Sequence, residues 1–129
     1  MQRGRVLAVD DEPEVAEFLR DALTHFGFKV ETALTRNDAL VLAPLYRPDV
    51  ILLDLLMPDM PGHVALERFR ELDPTVPVII ISGTQDEEVA RATSAMGAFD
   101  YVMKPFNVRA LERVVAASIV EHEHRRLRR

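Results

Sequence analysis

Cysteine is absent from this chain of 129 residues, which excludes a disulfide framework and a thiolate metal site. No stretch approaches the ~20 apolar residues of a membrane-spanning helix. The apolar run after Met1-Gln2-Arg3-Gly4-Arg5 is too short for the core of a secretion signal, so the expected location is cytoplasmic. No Gly-rich phosphate loop of the P-loop or dinucleotide type occurs, which argues against a nucleotide as a bound phosphoryl donor. The histidines His25, His63, His122 and His124 have no metal-ligand spacing, and His122 and His124, two apart on a helix, point to different sides. Basic charge is in deficit, with 16 basic against 21 acidic residues and a net charge of −5, a poor basis for general nucleic-acid binding. The exception is the ending Arg125-Arg126-Leu127-Arg128-Arg129, which reads as a cation-rich helix end favoured by the macrodipole.

Hydrophobic residues make up 48% of the chain, and the length favours one domain with a buried core. Strand-like runs alternate with helix-like ones. Val6 to Val9 is the first strand. Residues 13–26 follow as a helix, with Val15, Phe18, Leu19, Ala22, Leu23 and Phe26 on one face and Gly27 as a left-handed stop. Phe28 to Thr32 is a more polar strand suited to a sheet edge. Thr35 with Asp38 resembles a capping box opening a helix through Ala43, whose end Pro44 and Pro48 bracket. Val50 to Leu53 and Val78 to Ile81 are apolar on both faces, as central parallel strands are. Between them lie a proline-rich loop from Asp54 to Gly62 and a helix from about Val64 to Leu72, with Leu66, Phe69 and Leu72 inward. The fourth helix, about Asp86 to Met96, has only Val89 and Met96 as large anchors, which predicts weak holding. Ala98 to Met103 is the fifth strand. The fifth helix starts near Asn107, buries Leu111, Val114, Val115 and Ile119, and loses its pattern after Val120. The alternation predicts an α/β fold with a parallel sheet covered on both faces.

Polar residues follow the apolar runs: Asp10 and Asp11, Asp54, Ser82, and Lys104. In an open parallel sheet, ligands bind outside the carboxyl ends of the strands. Three carboxylates, a hydroxyl and an ammonium at one edge suit a cation and a phosphoryl group. Strands one and three are neighbours if the order is 2-1-3-4-5. The acids would then repel unless a hard divalent cation such as Mg²⁺ joins them, taking oxygen ligands at ~2.1 Å. A carboxylate such as Asp54 can act as a nucleophile and form an aspartyl phosphate. Each residue also has an ordinary reading. Asp11 with Pro13 and Glu14 is a helix-start signature. Asp54 suits a turn, Ser82 a loop and Lys104 the surface. The Lys104-Pro105 bond is a candidate for cis geometry.

Together the residues resemble the receiver domain of two-component response regulators, similar to the chemotaxis regulators. The matching pieces are Val6-Leu7-Ala8-Val9-Asp10-Asp11-Glu12-Pro13, Asp54-Leu55-Leu56-Met57-Pro58-Asp59-Met60-Pro61-Gly62, Ile81-Ser82-Gly83-Thr84, and Tyr101-Val102-Met103-Lys104-Pro105-Phe106. The resemblance covers about Arg5 to Val120. It implies a flavodoxin-like (βα)5 three-layer sandwich with strand order 2-1-3-4-5. It also implies that Asp54 accepts a phosphoryl group from a histidine kinase or phosphotransfer protein. Asp10, Asp11, Asp54 and the Leu56 backbone carbonyl would hold Mg²⁺. Lys104 and Ser82 would stabilise the phosphoryl group. Ser82 and Tyr101 would form the switch, acting on the face of the fourth helix, fifth strand and fifth helix to control a partner, a second copy or an output domain. Gly83 stands where family members often have alanine, which predicts a looser switch loop. Leu56 and Thr84 occupy positions that tune phosphate loss.

The implied role is that of a stoichiometric phosphoacceptor with self-phosphorylation and self-dephosphorylation only. A rival is a Mg²⁺-dependent phosphatase with an aspartate nucleophile. That chemistry wants an acid two residues after the nucleophile, where this chain has Leu56. A phosphorylation-independent protein-binding receiver is a further alternative. Residues 1–121 are expected to form the receiver. Residues 122–129 read as a basic helix end or a linker to an output domain, through which alone nucleic acid would be contacted. No membrane contact is expected.

Overall fold

The two most apolar runs become the two central strands because helices cover both of their faces. The computed structural model describes residues 2–57, 59–83 and 87–128. In it β3 (Val50–Asp54) and β4 (Val78–Ser82) are buried at every position. β1 (Arg5–Val9) lies beside β3, and the more polar β2 (Lys29–Ala33) and β5 (Asp100–Met103) form the edges. All pairings are parallel, in the order β2-β1-β3-β4-β5.

Alternation along the strands divides the core into two halves. Leu7, Val9, Ile51, Leu53, Val78 and Ile80 pack with α2 (Arg36–Tyr46) and α3 (Gly62–Leu72). Val6, Ala8, Val50, Leu52, Ile79 and Ile81 pack with α1 (Pro13–His25) and α5 (Val108–Leu127). The expected three-layer flavodoxin-like sandwich is present. Each fully buried leucine or isoleucine contributes about 1.5–3 kcal/mol. The short α4 (Glu87–Ala95) buries only Thr93 among its described residues, and Met96 beyond it packs on the α2–α3 half. The expected start of this helix at Asp86, and the loop residue Thr84, lie outside the described residues.

Several expectations from the sequence fail locally. Phe18 is exposed, its ring stacking on that of Phe106 in the β5–α5 connection with centroids 6.1 Å apart. Leu72 is also exposed, at the last residue of α3. Pro44 lies inside α2 and does not end it. Its missing N–H costs one bond near the helix end, and Tyr46 holds the last turn by donating to the Lys29 carbonyl at 2.9 Å. Burial, helped by Glu31, pushes the Tyr46 phenol up to about 12, so it remains a donor. The helix that was expected to lose its pattern after Val120 continues to Leu127. Its inner side there is polar: Ser118 and His122 are buried, and His122 Nδ1 lies 3.1 Å from Asp49 Oδ1.

Candidate functional site

Parallel registry delivers the strand tips to one edge: Val9 pairs with Leu53, Asp54 with Ile81, and Ser82 with Met103. The residue after β1 is Asp10, fully buried, whose Oδ1 accepts from the Glu12 N–H at 3.0 Å and turns the chain into α1. The N-cap of α1 is Glu12, without a side-chain capping bond, so Asp11 does not serve as that cap. Carboxylate oxygens of Asp10, Asp11 and Glu12 lie within 4.8 Å of one another.

Asp54 ends β3 and is 3% exposed. Its Oδ1 accepts from the Leu56 N–H at 3.2 Å, and its Oδ2 lies 3.3 Å from Lys104 Nζ. The same ammonium is 2.7 Å from Asp10 Oδ2 and 3.8 Å from Glu12 Oε1. The Lys104 N–H donates to the Ser82 carbonyl at 2.8 Å, and the Lys104-Pro105 bond is cis. Ser82, fully buried, ends β4. Among the described residues, a methyl group on Gly83 would meet nothing within 4 Å, so an alanine would fit there.

The electrostatics follow from burial and proximity. Burial pushes the Asp54 carboxyl above its ordinary value and the Asp10 charge adds to this, against the Leu56 N–H and Lys104. Burial alone would lower Lys104, but Asp10 and Asp54 outweigh it and raise the ammonium above its usual range. Two buried carboxylates therefore share one ammonium, with Asp11 and Glu12 beside them. This surplus of hard oxygen donors, with no nitrogen or sulfur among them, fits a divalent cation of the Mg²⁺ class.

Tyr101 stands apart from this cluster. It pairs with Ile80, two residues before Ser82, and its half-buried ring packs on the α2–α3 half of the core with Met96 and Ala98. Leu56 is 65% exposed beside the site. Two residues escaped the sequence analysis. Glu12 was used only as part of a motif. Arg36, which reads as an ordinary first-turn residue, is fully buried and donates to the carbonyls of Asp54, Met57 and Met60. Its burial depends on loop carbonyls distant in the chain, which no local pattern reports.

Fold and site together define a parallel α/β domain that gathers carboxylates and one ammonium at its strand tips. The response regulator receiver domain model matches residues 6–116, and the chain belongs to that family. Among relatives, the chain is 37% identical to regulatory protein AtoC of Escherichia coli, over 90% of this chain and 25% of that one. It is 39% identical to the DNA-binding transcriptional regulator NtrC of Proteus hauseri, over 84% of this chain and 23% of that one. It thus spans about a quarter of the length of these two relatives. Among solved structures, a CheY-like response regulator receiver domain protein from Methanospirillum hungatei superposes with a TM-score of 0.87 at 30% identity, over 93% of this chain and 96% of that one. No helix among the described residues is long and apolar enough to cross a membrane.

Proposed function

We propose that Asp54 is the phosphoacceptor, taking its phosphoryl group from a phosphohistidine on a histidine kinase or phosphotransfer protein. The observation that carries this reading is Lys104 Nζ bridging Asp10 Oδ2 and Asp54 Oδ2, contributed by three different strand ends. An Asp54 carboxylate oxygen attacks phosphorus, the P–N bond breaks, and the imidazole nitrogen leaves with the electron pair. The product is an acyl phosphate on Asp54. The Asp10, Asp11 and Asp54 carboxylates and the Leu56 carbonyl would hold Mg²⁺, which when bound screens the acids from the incoming phosphoryl oxygens. Lys104 pairs with those oxygens, and the Ser82 hydroxyl donates to one of them.

The acyl phosphate adds about −1.5 to −2 charge at a buried edge. Ser82 and Lys104 reorganise around it, and Tyr101 follows on the neighbouring strand. The thinly anchored α4 supports this reading, because an element held by few apolar contacts is easily shifted. The α4–β5–α5 face then binds a partner, a second copy or an output domain. Residues 1–121 act as the receiver, and residues 122–129 serve as a basic helix end or as a linker to an output domain, through which alone nucleic acid would be contacted. The chain acts stoichiometrically, in the cytoplasm, with turnover limited to loss of its own phosphate.

The test is incubation with acetyl phosphate and Mg²⁺, followed by intact mass. One phosphoryl group per chain, lost in Asp54→Asn, is expected. Rapid multiple turnover would establish the phosphatase instead, and no labelling would establish a binding module.

A further inference from the structure

Arg36 opens α2, yet its guanidinium is fully buried in the loop that follows the phosphoacceptor. It donates to the main-chain carbonyls of Asp54, Met57 and Met60, the Met57 bond measuring 3.1 Å. Next to it, the Asn37 N–H donates to Asp59 Oδ2 at 3.0 Å, a second tie between α2 and this loop. Burial draws the guanidinium's pKa down, while Asp59, Asp54 and Asp11 act to hold it charged.

The pattern of carbonyls has a consequence. Those of Asp54 and Met57 are committed to Arg36. The Leu55 carbonyl faces Gly62 so closely that a methyl group there would lie 3.2 Å from it. The Leu55 N–H is bound to the Ile81 carbonyl at 3.1 Å, and the Leu56 N–H to Asp54 Oδ1 at 3.2 Å. Among the described residues, the Leu56 carbonyl is not one that Arg36 holds, and the peptides on both sides of it are pinned by the Leu56 N–H bond to Asp54 and the Met57 carbonyl bond to Arg36.

We propose that Arg36 is a positioning residue: by gathering the carbonyls at 54, 57 and 60 on one guanidinium, it fixes the Leu56 carbonyl and the Asp54 carboxylate in the arrangement that receives the divalent cation. This rests on the phosphoacceptor reading of the site and adds a residue to it. A lysine would keep the charge but has neither the planar fork nor enough donors in fixed directions to hold three carbonyls. Outer partners of metal ligands typically change metal affinity by about 10–100-fold when removed.

The experiment is Mg²⁺ titration by calorimetry of the parent and Arg36→Lys, with acetyl phosphate labelling rates at low and saturating Mg²⁺. The expected result is Mg²⁺ affinity weakened by at least about tenfold, with labelling slowed at low Mg²⁺ and largely restored at saturation. A folded Arg36→Lys with parental Mg²⁺ affinity overturns the proposal, even if its melting temperature falls. Should the variant not fold, the parent decides by NMR of ¹⁵N-labelled arginine. The Arg36 guanidinium signal should shift in step with Mg²⁺ binding, and an unmoved signal at saturation overturns the proposal. A parent that binds Mg²⁺ but takes no label refutes the phosphoacceptor reading and leaves the positioning role to the affinity and NMR results.

Discussion

Lys104 sits closer to Asp10 than to Asp54, with its Nζ 2.7 Å from Asp10 Oδ2 and 3.3 Å from Asp54 Oδ2. The ammonium thus competes for the carboxylate that a metal ion would use. Lys104→Met is expected to bind Mg²⁺ several-fold more tightly, since a like charge leaves the site. It should also lose about 1–3 kcal/mol of stability without Mg²⁺, because the buried Asp10 loses a partner. Calorimetry and urea melts with and without Mg²⁺ check both effects. Unchanged or weaker Mg²⁺ binding would contradict the competition.

Asp54 carries the cost of its setting. Its carboxyl is raised above the ordinary value of 3.8, first by burial and then by Asp10. A raised folded pKa contributes stability that is present below the unfolded value and is lost as pH rises through the folded one. Ionised Asp54 is therefore a destabilising group at neutral pH. Asp54→Asn should melt at a higher temperature than the parent at neutral pH, and this advantage should vanish as the pH falls below the ordinary aspartate range. Mg²⁺ should raise the melting temperature of the parent more than that of the variant. Thermal melts across pH, with and without Mg²⁺, provide the check.

The strand tips were legible because hydrophobic runs such as Val50 to Leu53 end sharply at a polar residue, and a parallel strand buried on both faces reads as a near-continuous apolar run. The strand order came from resemblance, since periodicity alone does not say which strands adjoin. What escaped were contacts between distant segments. Phe18 fits the apolar face of α1, but it is exposed and stacks on Phe106, 88 positions further on. Pro44 looks like a helix stop until the Tyr46 bond to Lys29 is seen. Arg36 gave no signal because a buried arginine is defined by the carbonyls that surround it.

Gly97 closes α4 in the left-handed region at φ +98°, and a methyl group there would lie 2.5 Å from Arg70 Nε. The Arg70 side chain donates to the Gly97 carbonyl at 3.2 Å, tying the end of α4 to α3. Gly97→Ala incurs the left-handed penalty of about 1–2 kcal/mol and displaces Arg70. The loss should concentrate in the α4–β5 segment. Hydrogen exchange should show residues 93–101 opening faster while α1 is unaffected; uniform acceleration across the chain would refute a local role.

Asp49 holds the far end of α5. It accepts from the Arg5 N–H at 2.7 Å and lies 3.1 Å from His122 Nδ1. Burial would raise its carboxyl, but the bonds from His122 and Arg5 prevail and hold it below its ordinary value. A depressed folded pKa contributes stability present above the unfolded value and lost as pH falls through the folded one. Asp49→Ala should therefore cost about 1–3 kcal/mol at neutral pH, with the difference from the parent shrinking on acidification below the usual aspartate range. The last turns of α5, whose inner side relies on Ser118 and His122, should exchange amide protons faster in this variant. Phosphoryl labelling of Asp54 should persist, because Asp49 precedes β3 and Asp54 closes it, at opposite ends of the same strand. Loss of labelling in a folded Asp49→Ala would show that the two ends of the sheet are coupled.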